Sequence, residues 1–71
     1  MAKAEISNRI RALRFEHGEM TQQELADRAG CTRQTIVMLE QGKYVPSLAL
    51  AFRIARTFDA KVEEVFEWVE S

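Results

Sequence analysis

The chain has 71 residues, a length that predicts one domain and leaves no room for a separate effector domain. Hydrophobic residues make up 46% and charged residues 30%, which is the balance of a globular protein rather than of a disordered chain. No apolar run approaches the ~18 residues of a membrane span, and the N-terminus lacks the apolar stretch of a signal peptide. The only cysteine, Cys31, excludes an internal disulfide, so we expect a cytoplasmic protein.

The charges are divided unevenly along the chain. Residues 1–58 hold nine Lys or Arg and six Asp or Glu, whereas residues 59–71 hold one Lys and five Asp or Glu. Balances of +3 and −4 thus underlie the net charge of −1. A mildly basic body with an acidic tail can orient one face of a small protein toward phosphate.

The first predicted helix runs from Ser7 to His17. An apolar stripe at helical spacing indicates it, formed by Ile6, Ile10, Leu13 and, as its last member, His17. Gly18 is a suitable stop after this helix. No Cys or His partner lies at ligand spacing from His17, so we expect no metal site and a solvated His17 near the helix end.

Two further helices are predicted at 21–29 and from Arg33 to about Gln41. Thr21 and Glu24 have the spacing of a capping box at the start of the second helix. Gly30 is expected to end it, because glycine reaches the left-handed conformation without strain. Thr32 is a good N-cap for the third helix. Cys31, between the two helices, is interpreted as a small buried turn residue rather than a redox sensor.

The remaining chain predicts two more helices and an ambiguous end. Ser47 is the N-cap of a fourth helix, whose core face is formed by Leu48, Ala51, Ile54, Ala55 and Phe58. A short fifth helix covers about Val62 to Phe66, and its cap position, Lys61, is a poor capper, so its first turn should be weak. Residues 66–70 either extend this helix or form a short strand.

The pair of helices at 21–29 and 32–41 has the spacing of a helix-turn-helix. At ~100° per residue, Ile36, Leu39 and Glu40 share one side of the third helix. The opposite side carries Arg33, Gln34, Val37 and Met38. Arg and Gln are well shaped to read guanine and adenine edges, and here they lie in the first turn, where a recognition helix meets the major groove.

These features resemble the Cro/lambda-repressor (XRE-type) family, and especially its short single-domain regulators. The similarity rests on the segments 21–26, Gly30, 32–36, 39–43 and 46–48, and it covers about residues 6 to 68. It implies an all-α, five-helix lambda-repressor-like DNA-binding domain over residues 1–71, with a helix-turn-helix at about 21–41. Departures at Cys31 and Met38 concern the base-reading code, and those at Asp59 and Lys61 concern stability.

The resemblance also implies roles for individual residues. Base contacts fall on Thr32, Arg33, Gln34 and Met38, and phosphate contacts on Gln22, Thr35, Lys43 and Tyr44. Arg14 and Glu40 match a structural ion pair between the first and third helices. For three of these residues an interpretation without DNA contact remains open. Gln22 is then simply a good helix former, Met38 an exposed side chain without a partner, and Tyr44 a residue that packs over its loop.

The C-terminal apolar residues predict a homodimer. Phe66 is the best candidate to fill the core, whereas Trp68 and Val69 are hard to bury in a monomer of this size. Short relatives dimerise through the last helix and tail, so a dimerisation tail at about 62–71 with Phe66, Trp68 and Val69 is expected.

The predicted function is therefore a transcriptional regulator, by default a repressor, that reads a near-palindromic operator in double-stranded DNA. No catalytic triad, phosphate loop or nucleotide fingerprint is present, so we expect no enzyme activity, no cofactor, no metal and no small-molecule ligand. The alternative is a protein-interaction module, such as an antitoxin, that uses the same fold without reading DNA.

Overall fold

The computed structural model describes residues 6–69. In chain order the elements are β1 (Ile6–Asn8), α1 (Ile10–Glu16), α2 (Gln22–Ala29), α3 (Arg33–Glu40), α4 (Leu48–Thr57), α5 (Val62–Val65) and β2 (Phe66–Trp68). The two strands form an antiparallel pair in which Ser7 lies opposite Glu67. The prediction of five helices is confirmed, and of the two alternatives for the C-terminal end the structure has the short strand. None of the helices within 6–69 is long and apolar enough to cross a membrane.

The predicted start of the first helix at Ser7 is wrong, because the chain is extended from residue 6 to residue 8 and the helix begins at Ile10. The side chain of Asn8 explains the boundary. Its Oδ1 accepts a hydrogen bond from the Ile10 amide at 3.1 Å, which satisfies a donor at the start of a helix that begins at Ile10, and its Nδ2 donates to the Leu39 carbonyl at 2.8 Å. The strand is then held by its pairing with β2, a partner distant in sequence.

Helices α2 and α3 begin and end close to the predicted residues. The Thr21 hydroxyl accepts from the Glu24 amide at 3.0 Å, and the Glu24 carboxylate accepts from the Thr21 amide at 2.8 Å, which completes the capping box. Gly30 ends α2 in the left-handed conformation, with φ at 75°. The capping box and Gly30 thus fix the two ends of α2, and with its end the position at which the turn toward α3 begins.

The predicted core face of the fourth helix is wrong at one position. Leu48 is 72% exposed, whereas Leu50, which was not assigned to the core, is only 4% exposed. At ~100° per residue, Leu48 lies about 90° from the centre of the buried face. That face is formed by Leu50 together with the predicted core residues Ala51, Ile54, Ala55 and Phe58. Ser47 caps the helix as predicted by accepting from the Leu50 amide at 3.1 Å.

Helix α5 ends at Val65, one residue before the predicted end, and the chain continues from Phe66 as β2. The side chain of Lys61 makes no cap, as expected, but the Glu64 carboxylate accepts from the Lys61 amide at 2.7 Å and satisfies one donor of this first turn. Because residues 66–68 pair with β1, the two alternatives for this segment are resolved in favour of a strand. The end of the predicted dimerisation tail, residues 70 and 71, lies outside the described residues.

One hydrophobic core joins the helices. It is formed by apolar side chains from α1 to α5 together with Met20 and Phe58, and its largest fully buried members are Ile10, Leu25, Ile36, Leu39, Ile54 and Val65. His17 stays exposed, but its ring packs on Phe58 with centroids 5.1 Å apart. Because α3 contributes two of those core residues, its buried side holds it in a fixed orientation while its other side faces outward.

Candidate nucleic-acid interface

Helix α3 has one buried and one outward side. Ile36 and Leu39 are fully buried, whereas Arg33 and Gln34 are exposed and Met38 is half-buried. The polar first turn and the apolar anchor are therefore separated on a single helix of eight residues. An anchored helix with a polar outer edge at its N-terminal end is the geometry that major-groove reading requires.

The first turn of α3 uses its two threonines internally. The Thr32 hydroxyl accepts from the Thr35 amide at 3.2 Å and lies 3.0 Å from the Thr35 hydroxyl. One lone pair of Thr32 is thus committed to the N-cap. This leaves Arg33 and Gln34 as the long, fully exposed polar side chains of this turn.

The loop after α3 carries the other two sequence-predicted contact residues. Lys43 and Tyr44 are both exposed, with 43% of Tyr44 accessible. The Lys43 amide donates to the Met38 carbonyl at 2.9 Å, and this bond ties the start of the loop to the last turn of α3. Lys43 therefore projects from the C-terminal end of the same helix whose N-terminal end carries Arg33.

Arg14 and Glu40 meet in an ion pair that links α1 to α3. Arg14 Nε donates to Glu40 Oε2 at 2.7 Å and its Nη2 donates to Oε1 at 3.1 Å, so the pair is bidentate. A third bond runs from Arg14 Nη1 to the Met20 carbonyl at 2.7 Å. The two side chains are only 9% and 10% exposed. This is a buried connection that fixes α3 against α1.

Gln22, a predicted phosphate contact, is joined to the same ion pair. Its Nε2 donates to Glu40 Oε1 at 3.1 Å, and the residue is half-buried. The amide keeps one N–H and its oxygen for other partners. Of the two N–H groups of this side-chain amide, only the one not bonded to Glu40 is free to donate to a phosphate. The bond to Glu40 sets the direction of that free N–H. Sequence reasoning did not foresee this bond, because it joins residues 18 positions apart.

A polar cleft of about 470 Å³ opens where α1 meets the N-terminal ends of α2 and α3. Gln22 and Arg33 line it from the helix-turn-helix, and Arg11 and Phe15 line it from α1. Sequence reasoning missed Arg11 and Phe15. Their spacing of four residues on one helix, with Arg14 beside them, was the signal that could have found them.

Two groups near the helix-turn-helix have shifted acidities. Hydrogen bonds from the backbone and the side chain of Thr21 lower the pKa of Glu24. Burial raises the pKa of Cys31, an effect that the nearby Arg53 cation partly opposes. Cys31 is half-buried and packs against the core, as expected of a turn residue, and its raised pKa keeps the thiol protonated at neutral pH.

The three predicted dimerisation residues differ in exposure. Phe66 packs against the core and is half-buried, whereas Trp68 is 60% and Val69 is 42% exposed. Trp68 lies opposite Ile6 in the sheet, so both side chains are on one face of it. Next to them is an apolar groove of about 250 Å³, which is lined by Ile6, Val45, Pro46, Leu48, Ala51, Val62 and Phe66.

The chain is similar to a known protein family and to several known proteins. A family model described as helix-turn-helix matches residues 10–65. An uncharacterized HTH-type transcriptional regulator of Archaeoglobus fulgidus is 57% identical over 58 residues, covering 82% of this chain and 81% of the relative. Another from Methanocaldococcus jannaschii is 46% identical over 61 residues, covering 86% and 91%. A third, from Bacillus subtilis, is 43% identical over 65 residues, covering 92% and 96%.

A solved structure shares the fold. The crystal structure of a proposed DNA-binding protein from Bacteroides fragilis superimposes with a TM-score of 0.75 at 24% sequence identity, covering 87% of this chain and 98% of that one. The matched family comprises DNA-binding regulators rather than enzymes, in agreement with the expectation from the sequence. The chain belongs to the Cro/lambda-repressor (XRE-type) helix-turn-helix family.

Proposed function

We propose that the protein is a sequence-specific transcriptional repressor that binds a near-palindromic operator as a homodimer. The observation that carries the proposal is the division of α3. Ile36 and Leu39 are fully buried, while Arg33 and Gln34 project outward from its first turn. A helix anchored in this way can enter the major groove without disturbing the core.

Arg33 and Gln34 are assigned to base reading. Arg can donate two hydrogen bonds to guanine O6 and N7, and Gln can pair with adenine N6 and N7. Thr32, with its hydroxyl engaged in the cap, contributes its methyl group and its remaining lone pair. Met38, half-buried near the other end of the helix, contributes an apolar contact such as one to a thymine methyl.

Four residues around this reading edge are assigned to phosphate. Gln22 offers the N–H left free by Glu40, and Lys43 and Tyr44 flank the far end of α3. Thr35, whose hydroxyl lies 3.0 Å from that of Thr32, is assigned to the same DNA backbone. Contacts of this kind set the register of the protein on the duplex but carry no sequence information.

The homodimer is proposed from the apolar surface around β2. Trp68 is a large exposed side chain that stands beside the groove bordered by Ile6 and Leu48. A projecting ring next to a groove is self-complementary under a two-fold axis, because each copy can place Trp68 in the groove of the other. Edge pairing of two β2 strands centred on Glu67 is disfavoured, since it would set like charges opposite each other.

The groove lies close in sequence to the proposed DNA-binding surface, since Val45 and Pro46, which line it, follow directly after Lys43 and Tyr44. To bind adjacent major grooves, a homodimer formed there has to present its two α3 helices on the same side and ~34 Å apart. Occupation of a promoter by such a dimer blocks polymerase, which is why repression is the proposed output.

The experiment begins with selection of bound sequences from a random duplex library, which should return a site with two related half-sites. Arg33→Ala is then expected to cost about 1–3 kcal/mol at that site and to relax base preference at one position. Lys43→Ala should weaken cognate and scrambled duplexes alike and lower the salt slope by about one. Equal behaviour of the two variants would refute this division of roles.

Trp68 gives a direct assay of the dimer, since it is the only tryptophan. Its emission should be blue-shifted at high protein concentration and should move to the red on dilution, as the ring returns to water. Leu48→Glu should remove this concentration dependence and shift the sedimentation coefficient to that of a monomer. Phe52→Glu is the control on α4, because Phe52 is 51% exposed but does not line the groove. A concentration-independent spectrum and a monomer at all concentrations would refute the homodimer.

The alternative of a protein-interaction module makes a contrasting prediction. Such a module would not retard random duplex at low salt, where nonspecific phosphate binding is strongest. Absence of any retardation in that gel shift would overturn the regulator proposal in favour of the interaction module.

A further inference from the structure

We infer that Arg11 and Phe15 extend the DNA-binding surface onto α1, with Arg11 as a phosphate contact outside the helix-turn-helix and Phe15 as the residue that positions it. The inference rests on the proposed DNA binding and adds a partner contact to that site. The ligand is a phosphodiester of the duplex backbone.

The place of Arg11 in the fold is the first argument. Arg11 lines the same cleft as Gln22 and Arg33, the first residues of the two helices that make up the helix-turn-helix. A duplex that brings a base edge to Arg33 and a phosphate to Gln22 therefore passes over the mouth of this cleft. A cation on its remaining wall lies close to the backbone of that strand.

The charges of the neighbouring residues are the second argument. Arg14, on the floor of the cleft, is neutralised by Glu40, and Arg9 is paired with Glu16 at 3.9 Å. Within residues 6–69, Arg11 and Arg33 are the arginines of the cleft that form no ion pair. The positive charge available to a phosphate in this cleft is therefore concentrated on these two exposed side chains.

The aromatic ring of Phe15 is the third argument. The guanidinium carbon of Arg11 lies 5.6 Å from the ring centroid, and that of Arg14 lies 5.5 Å from it. Arg14 is immobilised by its bonds to Glu40 and Met20, so one neighbour of the Phe15 ring is fixed. A cation–π contact with this ring orients the Arg11 guanidinium and reduces the flexibility that it would lose on binding phosphate.

This arrangement also explains why a large aromatic residue is 51% exposed on α1. Half of the ring faces solvent because its function is to support a guanidinium at the surface rather than to fill the core. A planar guanidinium matches two oxygens of one phosphate. Because the backbone is the same at every sequence, Arg11 should raise affinity without adding base preference.

The test measures the Kd for the selected operator and for a scrambled duplex between 50 and 200 mM KCl. Arg11→Ala should weaken both duplexes by the same factor and should reduce the salt slope by about 0.9 for each protomer, or about 1.8 for the homodimer, which loses two phosphate contacts. The ratio of variant to wild-type Kd should accordingly shrink about 12-fold across that range. Alanine is the best helix former and the site is exposed, so the fold should be unaffected.

Arg56→Ala on α4 is the matched control, because it removes the same charge from a surface that the cleft does not include. Phe15→Leu keeps an apolar side chain but removes the aromatic face. It should weaken binding to both duplexes less than Arg11→Ala does, and it should have no further effect in the Arg11→Ala background. A purely structural role for Phe15 would instead lower the melting temperature and weaken binding equally in both backgrounds.

The outcomes separate the inference from the function on which it rests. If wild-type protein binds duplex but Arg11→Ala and Arg56→Ala have the same salt slope as wild type, the inference is overturned and the regulator proposal stands. If wild-type protein binds no duplex at 50 mM KCl, the proposed function fails and the inference fails with it. A lower slope for Arg11→Ala alone supports the inference.

Discussion

Replacement of Glu40 by alanine should be one of the most damaging single changes at the surface between α1 and α3. The side chains of Arg14 and Glu40 are 9% and 10% exposed, and their bidentate contact includes a 2.7 Å bond. Removal of the carboxylate leaves the Arg14 guanidinium buried with only its bond to the Met20 carbonyl. Breaking a buried pair in this way costs about 3–5 kcal/mol.

This loss is large relative to the whole stability of the protein. A domain of this size is stabilised by roughly 4–11 kcal/mol in total, so Glu40→Ala should remove between about a quarter and all of the stability at 25 °C. Urea titration followed by circular dichroism at 222 nm measures the change in the free energy of unfolding. The variant Arg14→Met, Glu40→Leu replaces both charges by apolar groups and should recover most or all of the loss.

The ion pair of Arg9 and Glu16 provides the control within the same chain. Its atoms are 3.9 Å apart and its side chains are 57% and 59% exposed, so Glu16→Ala should cost no more than about 1 kcal/mol. If Glu40→Ala and Glu16→Ala destabilise the protein equally, burial is not what makes the Arg14–Glu40 pair important, and the reasoning is refuted.

Three further predictions concern the helix-turn-helix and its turn. Hydrogen bonds from Thr21 lower the pKa of Glu24 from its ordinary value of 4.5. The ionised carboxylate therefore stabilises the fold fully above the unfolded pKa, and this contribution is lost as the pH falls through the folded pKa. Glu24→Gln should flatten the fall of Tm between pH 5 and pH 3, and an unchanged profile would contradict this. Gly30→Ala should lower the free energy of unfolding by about 1–2 kcal/mol in urea titration, because alanine disfavours the left-handed backbone of this position. Steric crowding should add little, since the added carbon would lie at an ordinary 3.7 Å from Arg53 Nε. A loss below about 0.5 kcal/mol would argue that the backbone relaxes. Burial raises the pKa of Cys31, so iodoacetamide at pH 8 should alkylate it more slowly in the folded protein than in urea, and equal rates would show that the thiol is not protected.

Local rules predicted the helix-turn-helix well. The capping box of Thr21 and Glu24 and the left-handed stop at Gly30 involve residues at most four positions apart, and both lie where the sequence indicated. The sides of α3 were also predictable, because its buried residues follow the helical period. The same period misled at Leu48, which lies at the edge of the buried face of α4 and is left in solvent by the arrangement of its neighbours.

Long-range contacts account for what the sequence did not show. Nothing near Ser7 signals a strand, because β1 exists only through its pairing with β2 some sixty positions later. The bond from Gln22 to Glu40 and the cleft that gathers Arg11, Gln22 and Arg33 likewise depend on how three helices meet.

The amino-acid sequence alone determined the number of helices, the caps of α2, α3 and α4, and the outward side of α3 that begins with Arg33, since each depends on side chains within one or two turns of each other. Only the tertiary structure decided which polar groups share the cleft, that the Gln22 amide is held by Glu40, and that Ile6 and Leu48 border one apolar groove. Those relations are set by the packing of α1, α4 and the strands around the core, and packing depends on all of these elements at once rather than on any local pattern.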